Sequence, residues 1–176
     1  MKGLREYVIP FIGPKNGLHH FNFEIGAPFF SHFPDSLIRE CGLFVDLAFD
    51  KKERLFVLNF DISGTISTEC DRCGQALDLP IHGNHTLYVK KGEQPEEEDE
   101  EEDITWIADG ESELDTSEWI YEFIHLSIPV RKLHPDLADG TPGCNPDILA
   151  RLGHNEDQPK DSDPRWDQLR TIIKDK

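Results

Sequence analysis

The chemistry open to this chain is concentrated in Cys70-Asp71-Arg72-Cys73-Gly74. Two thiols separated by two residues on a tight turn can aim both sulfurs at one Zn2+. A glycine directly after them accepts a positive φ and lets backbone amides approach the sulfurs. Such a knuckle is half of a structural zinc site, which takes four ligands. Cys144, in the turn-like Gly143-Cys144-Asn145-Pro146, and His134, in His134-Pro135, are the candidates that complete it. Cys70, Cys73, Cys144 and His134 together make a Cys3His set, although the step from His134 to Cys144 is long for a second knuckle. Cys41 precedes Gly42 at a strand start and reads as a core thiol. A closed site leaves no position for water, so its role is structural: it ties the tip to the C-terminal segment. Plainer readings of the same residues stay open. Cys70 and Cys73 form a reduced thiol pair on a loop, Cys144 is an ordinary loop cysteine, and His134 is a surface histidine. A thioredoxin-like motif is disfavoured, because it opens a helix in a βαβ unit and this one joins strands.

Signals for catalysis are poor. The chain has no phosphate-binding G-x-x-x-x-G-K-[ST] or G-x-G-x-x-G, no G-x-S-x-G and no H-E-x-x-H. No catalytic residue and no small-molecule substrate are expected, and a thiol or zinc enzyme is the weakest of the alternatives.

The elements that must position the thiols are strands. Leu43, Val45, Leu47 and Phe49 alternate. Phe56, Leu58, Phe60, Ile62 and Ile66 keep one parity, with Gly64 in the gap. After the thiol turn Leu77, Leu79, Ile81, Leu87 and Val89 repeat the pattern, with Gly83 on the apolar parity. This predicts an antiparallel meander, one face buried and one wet, with the two glycines at bulges or close backbone contacts. Upstream, Tyr7, Ile9 and Phe11 and then Phe21, Phe23 and Ile25 flank a Gly/Pro/Asn cluster and predict a hairpin-like pair. Residues 28–38 fit a short helical turn that plugs the sheet. Ile104, Trp106 and Ile107 suggest a further strand. Ile120, Phe123, Ile124, Ser127 and Ile128 share a helical face, with Asp115 or Thr116 as cap and Pro129 as the stop, predicting a packed helix over 116–128. Residues 133–163 read as loop-rich, with Ile148, Leu149 and Leu152 as one apolar segment. Asp163-Pro164-Arg165-Trp166 opens a second amphipathic helix over 164–174. The fold class expected is α+β: a mainly antiparallel, partly curled sheet, one packed helix and a short C-terminal helix. Residues 1–176 form a single domain, divided into a β-rich meander (1–91), an acidic disordered loop (92–103) and a helical, loop-rich part (104–176).

Charge narrows the partners. The net charge is −17, from 35 acidic and 18 basic residues. The stretch EQPEEEDEEED (93–103) is almost wholly acidic, yet acids outnumber bases without it. Such a field repels bare phosphate and favours a basic partner or plain solubility. Small basic spots remain: Arg131 and Lys132 after the helix, and Arg165 beside Trp166, which could stack on a base. These four are the candidate partner-binding residues, set against the reading that they are ordinary surface. The start, MKGLREYVIPFIGPKNG, lacks a long apolar run, and no stretch approaches the length that crosses a bilayer. A cytoplasmic, non-membrane protein is expected.

The order of motifs adds a resemblance. Cys70-Asp71-Arg72-Cys73 at a hairpin tip, an acidic run, the helix running into Leu126-Ser127-Ile128-Pro129, Gly143-Cys144-Asn145-Pro146 and Asp163-Pro164-Arg165-Trp166 resemble the YceD family over roughly residues 40–174. That family is named for large ribosomal RNA subunit accumulation and was long a domain of unknown function. The resemblance implies a non-catalytic role in making or preserving large-subunit ribosomal RNA, together with a ribosomal protein or precursor rRNA. The family usually carries a further C-x-x-C-like cluster after the helix. This sequence departs there, with His134-Pro135 and Cys144. The family's metal site thus transfers to Cys70 and Cys73 directly, to Cys144 less directly, and to His134 by analogy. The competing class is a zinc-stabilised interaction module unrelated to the ribosome.

Overall fold

A computed structural model describes residues 4–92 and 104–153. It is an α+β fold built on an open five-stranded sheet of order β2-β3-β4-β5-β6, with a separate two-stranded sheet, β1-β7. The strands are β1 (Val8–Pro10), β2 (Gly17–Gly26), β3 (Cys41–Lys51), β4 (Leu55–Glu69), β5 (Ala76–Lys91), β6 (Ile104–Ile107) and β7 (Glu113–Asp115). The helices are α1 (Ala27–Phe30), α2 (Ser117–Leu126) and α3 (Pro146–Gly153).

The meander follows from side-chain period. Register pairs Val45 with Ile62, Leu47 with Phe60 and Phe49 with Leu58, so alternate residues stack on one face and leave water together. β5 continues the same face with Leu77, Leu79, Ile81, Leu87 and Val89. Gly64 and Gly83 hold this parity by close contact, since pairing runs through both without a bulge. A Cβ on Gly64, at φ +140°, would run into the Gly42 carbonyl and the Leu43 Cα. A Cβ on Gly83 would collide with Ser127 of the helix above it. β6 is a strand, as expected, and pairs parallel to β5.

One expectation is corrected. β1 and β2 do not form a hairpin: β1 pairs with β7, Ile9 opposite Leu114, and β2 pairs with β3. The Gly13–Gly17 turn redirects the chain instead of folding it back, and Lys51 Nζ holds that turn by donating to the carbonyls of Phe11 (2.8 Å) and Pro14 (2.7 Å). β7 itself, three residues long, carries too little pattern to be read in advance.

The apolar face is covered by α1, α2 and the β1-β7 pair. α1 is the plug, with Phe29 and Phe30 buried edge to face. α2 starts where Asp115 Oδ1 accepts from the Ser117 N–H at 3.0 Å, while the Thr116 hydroxyl donates to the carbonyl of Tyr7, just before β1, at 2.7 Å. Ile120 and Ile124 are fully buried beneath it. The helix ends at Leu126, two residues before the expected Ile128. Ser127 turns its hydroxyl back to the Phe123 carbonyl at 2.7 Å and receives His85 Nε2 at 3.0 Å.

α3 takes up the apolar segment Ile148, Leu149 and Leu152 within the loop-rich stretch. Asn145, Pro146 and Asp147 supply its start: Asn145 Oδ1 accepts from the Asp147 N–H at 2.9 Å. The acidic run at 93–103 and the helix expected at 164–174 lie outside the described residues.

Candidate metal centre

The knuckle is the connection between β4 and β5. The Cys70 N–H donates to the Gln75 carbonyl at 2.9 Å, and the Gly74 N–H to the Cys70 carbonyl at 2.8 Å. Gly74 takes φ +69°, the left-handed turn that a side chain would strain. Both thiols are buried.

The second half arrives along the knuckle's flank. The Asp71 N–H donates to the Lys132 carbonyl at 2.8 Å, the Lys132 N–H donates to Asp71 Oδ2 at 2.7 Å, and Lys132 Nζ lies 3.1 Å from Asp71 Oδ1. The Asp71 carboxyl is held below its usual range, first by that Lys132 backbone donor. Residues 131–134 are thereby laid against the tip. The long step to Cys144 is closed by a small loop. Asp136 bridges Pro142, the Leu137 N–H donates to the Thr141 carbonyl at 2.7 Å, and the Gly143 N–H donates to the Pro135 carbonyl at 3.2 Å. Gly143 must be glycine for this approach, because a Cβ there would strike the Pro135 oxygen. His134 and Cys144 therefore stand side by side at the two ends of a closed loop.

One ligand atom from each of Cys70, Cys73, His134 and Cys144 lies within 4.8 Å of all the others. Cys70 Sγ is 3.8 Å from Cys144 Sγ, and Cys73 Sγ is 3.4 Å from His134 Nδ1. A tetrahedral ion with bonds of about 2.3 Å to sulfur and 2.0 Å to nitrogen sets edges of about 3.8 Å and 3.5 Å. The two spacings match those edges. His134 Nε2 lies 3.1 Å from the Ala76 carbonyl. A carbonyl accepts only, so Nε2 carries a proton, and Nδ1 is the ring nitrogen that faces the sulfurs and is placed to ligate an ion.

The surroundings prepare these groups unequally. Burial pushes the Cys70 thiol up, but the backbone amides of Cys73, Arg72 and His134 outweigh it and bring it down to about 5. Cys73 is lowered, chiefly by the Gln75 amide. Cys144, penalised first by burial, is raised. His134 is raised, first by its contact with Cys70. A thiolate beside thiols and an imidazole, out of water, is an environment in which a soft or borderline cation supplies the missing positive charge. The donor set can hold a metal ion with all four positions filled by the protein.

Of the other singled-out residues, Arg131 is exposed and Lys132 is engaged with Asp71. Arg165 and Trp166 lie outside the described residues. Cys41 is apart from the cluster, half-buried, with Sγ 3.7 Å from the Ile25 carbonyl, and burial pushes its thiol up. Asp71, the Ala76 carbonyl and Gly143 were not foreseen as parts of the site. Asp71 and Gly143 each adjoin a ligand cysteine, which was the available signal. No helix among the described residues is long and apolar enough to cross a membrane.

Against this geometry, a family model described as Large ribosomal RNA subunit accumulation protein YceD matches residues 58–172, which is more than half of the chain and includes all four clustered side chains. No curated protein and no solved structure matches the chain.

Proposed function

The chain belongs to the YceD family, and from that premise we propose that it is a non-catalytic factor in large ribosomal subunit biogenesis, supporting accumulation or processing of large-subunit rRNA. The observation that carries the reading is the family match extending through the knuckle and its distant partners. In this reading the ion is zinc, held by the Cys70, Cys73 and Cys144 sulfurs and by His134 Nδ1. Zinc in a closed four-ligand set supplies a crosslink and offers no open position for a reacting water. The protein's own groups do the rest. Asp71 and Lys132 align the two strands of chain, and the Ala76 carbonyl fixes the imidazole. The clamped tip then presents one rigid surface to a basic ribosomal protein or to precursor rRNA, with Arg131 and Lys132, and Arg165 and Trp166 further along the chain, as the residues that meet it.

Deleting the gene and measuring large- against small-subunit rRNA tests the role. The large-subunit signal should fall and wild type should restore it. An unchanged ratio would overturn the ribosomal reading and leave an interaction module. Metal analysis of untagged protein should give close to one zinc per chain. That content should be lost or weakened in Cys70→Ser, Cys144→Ser and His134→Ala.

A further inference from the structure

The helices and the β1-β7 pair cover one face of the five-stranded sheet. Nothing among the described residues covers the other. Strand register places Asn22, Asp46, Asp61 and Asn84 in one row across that open face. Asp46 and Asp61 are directly opposite each other, and like charges in that relation destabilise a sheet. Between the row of Leu18 and Tyr88 and the row of Gly42 and Pro80 the face carries no lysine or arginine. Its nearest cation-capable groups are imidazoles: His20 Nδ1 lies 3.3 Å from Asp46, and His82 Nδ1 lies 3.8 Å from Asp61. Beside the aspartates stands Phe44, 59% exposed.

From this juxtaposition we propose that the open face of β2–β5 docks a lysine- and arginine-rich polypeptide segment. Charge complementarity selects the occupant. A paired carboxylate centre without a fixed cation lacks what such a segment brings, and a nucleic-acid backbone would be repelled. Phe44 gives an arginine plane or a lysine stem an apolar surface to lie on. Four strands at about 4.8 Å and eight residues at about 3.4 Å give a footprint of roughly 500 Å2, suited to a short segment. The proposal deepens the ribosomal reading and rests on it for the partner being a ribosomal component. The binding itself stands apart from that reading.

The test is nuclear magnetic resonance titration of the full, zinc-loaded chain with a synthetic lysine- and arginine-rich peptide. It is repeated on Asp46→Asn/Asp61→Asn and on a variant with Glu96, Glu97, Glu98, Glu100, Glu101 and Glu102 changed to Gln. Shifts should centre on residues 44–48 and 59–63. The double aspartate variant should bind about tenfold more weakly at low salt. It should also melt no lower than wild type, since it relieves a repulsion, and that separates lost binding from lost folding. Binding that survives the double variant and vanishes with the 96–102 changes would overturn the proposal. So would an rRNA oligonucleotide that shifts the face where the peptide does not. In the deletion strain, a double variant that loses peptide binding yet fully restores large-subunit rRNA would sever the face from the function. A deletion with no rRNA phenotype would sink the ribosomal reading and leave the peptide result standing.

Discussion

Sheet and clamp are held by different physics. Along β3 and β4, Leu47, Phe49, Leu58, Phe60 and Ile62 are wholly excluded from water, and each such side chain contributes about 1.5–3 kcal/mol by leaving it. The segment from Pro129 to Gly153 has nothing comparable. Val130 is 97% exposed, and Cys144 is the one buried apolar side chain in the segment. Where apolar area runs out, hydrogen bonds and ligand atoms take its place, as in small domains that depend on a metal. The comparison says that the clamp can be opened without melting the sheet, and that melting the sheet must open the clamp.

The sharpest way to break that asymmetry is to strip the proposed metal. Chelation should abolish amide-exchange protection across 131–144 and leave residues 43–49 and 56–62 protected. Structural zinc carries on the order of 10 kcal/mol of apparent binding energy in zinc-finger peptides. Collapse of the sheet's protection along with the clamp's would refute the division. Phe60→Ala attacks the other side: the site is fully buried, and the loss should be about 3–5 kcal/mol. Urea unfolding should then show sheet and clamp lost in one transition at a lower midpoint. Gly64→Ala should cost about 2 kcal/mol through its left-handed backbone and the clash with the Gly42 carbonyl, read as a lowered melting temperature at unchanged zinc content. Asp71→Ala should be smallest, for the loss of an acceptor and a partly exposed ion pair. It should speed metal release to a competing chelator while the sheet's melting stays unchanged.

The same division explains what could be read from sequence. The meander was legible because its register is local and its side chains repeat every two residues, from Leu43 to Val89. α2 was legible from its apolar face and from Pro129. The β1-β7 pair was not, because Val8 and Asp115 are 107 residues apart in the chain and three-residue strands carry no period. α3 had a readable start in Asn145-Pro146-Asp147, obscured by the surrounding Pro and Gly. The four clustered residues could be named from type and turn context alone. What brings His134 to Cys144 could not, because the closure is made by backbone bonds from Gly143 to Pro135 and from Leu137 to Thr141, which side-chain spacing does not encode.

The span of the clamp also sets an order of events. Each strand of the meander pairs with its chain neighbour, so those contacts close short loops and form early. Cys70 and Cys144 are 74 residues apart. During synthesis the meander can assemble once β5 has emerged, while His134 and Cys144 are both still to come. A chain cut short before Cys144 would keep the β4-β5 hairpin and lack the complete ligand set. In the proposed metal-bound state the full ligand set exists only once Cys144 has been made, so ion uptake would follow assembly of the meander.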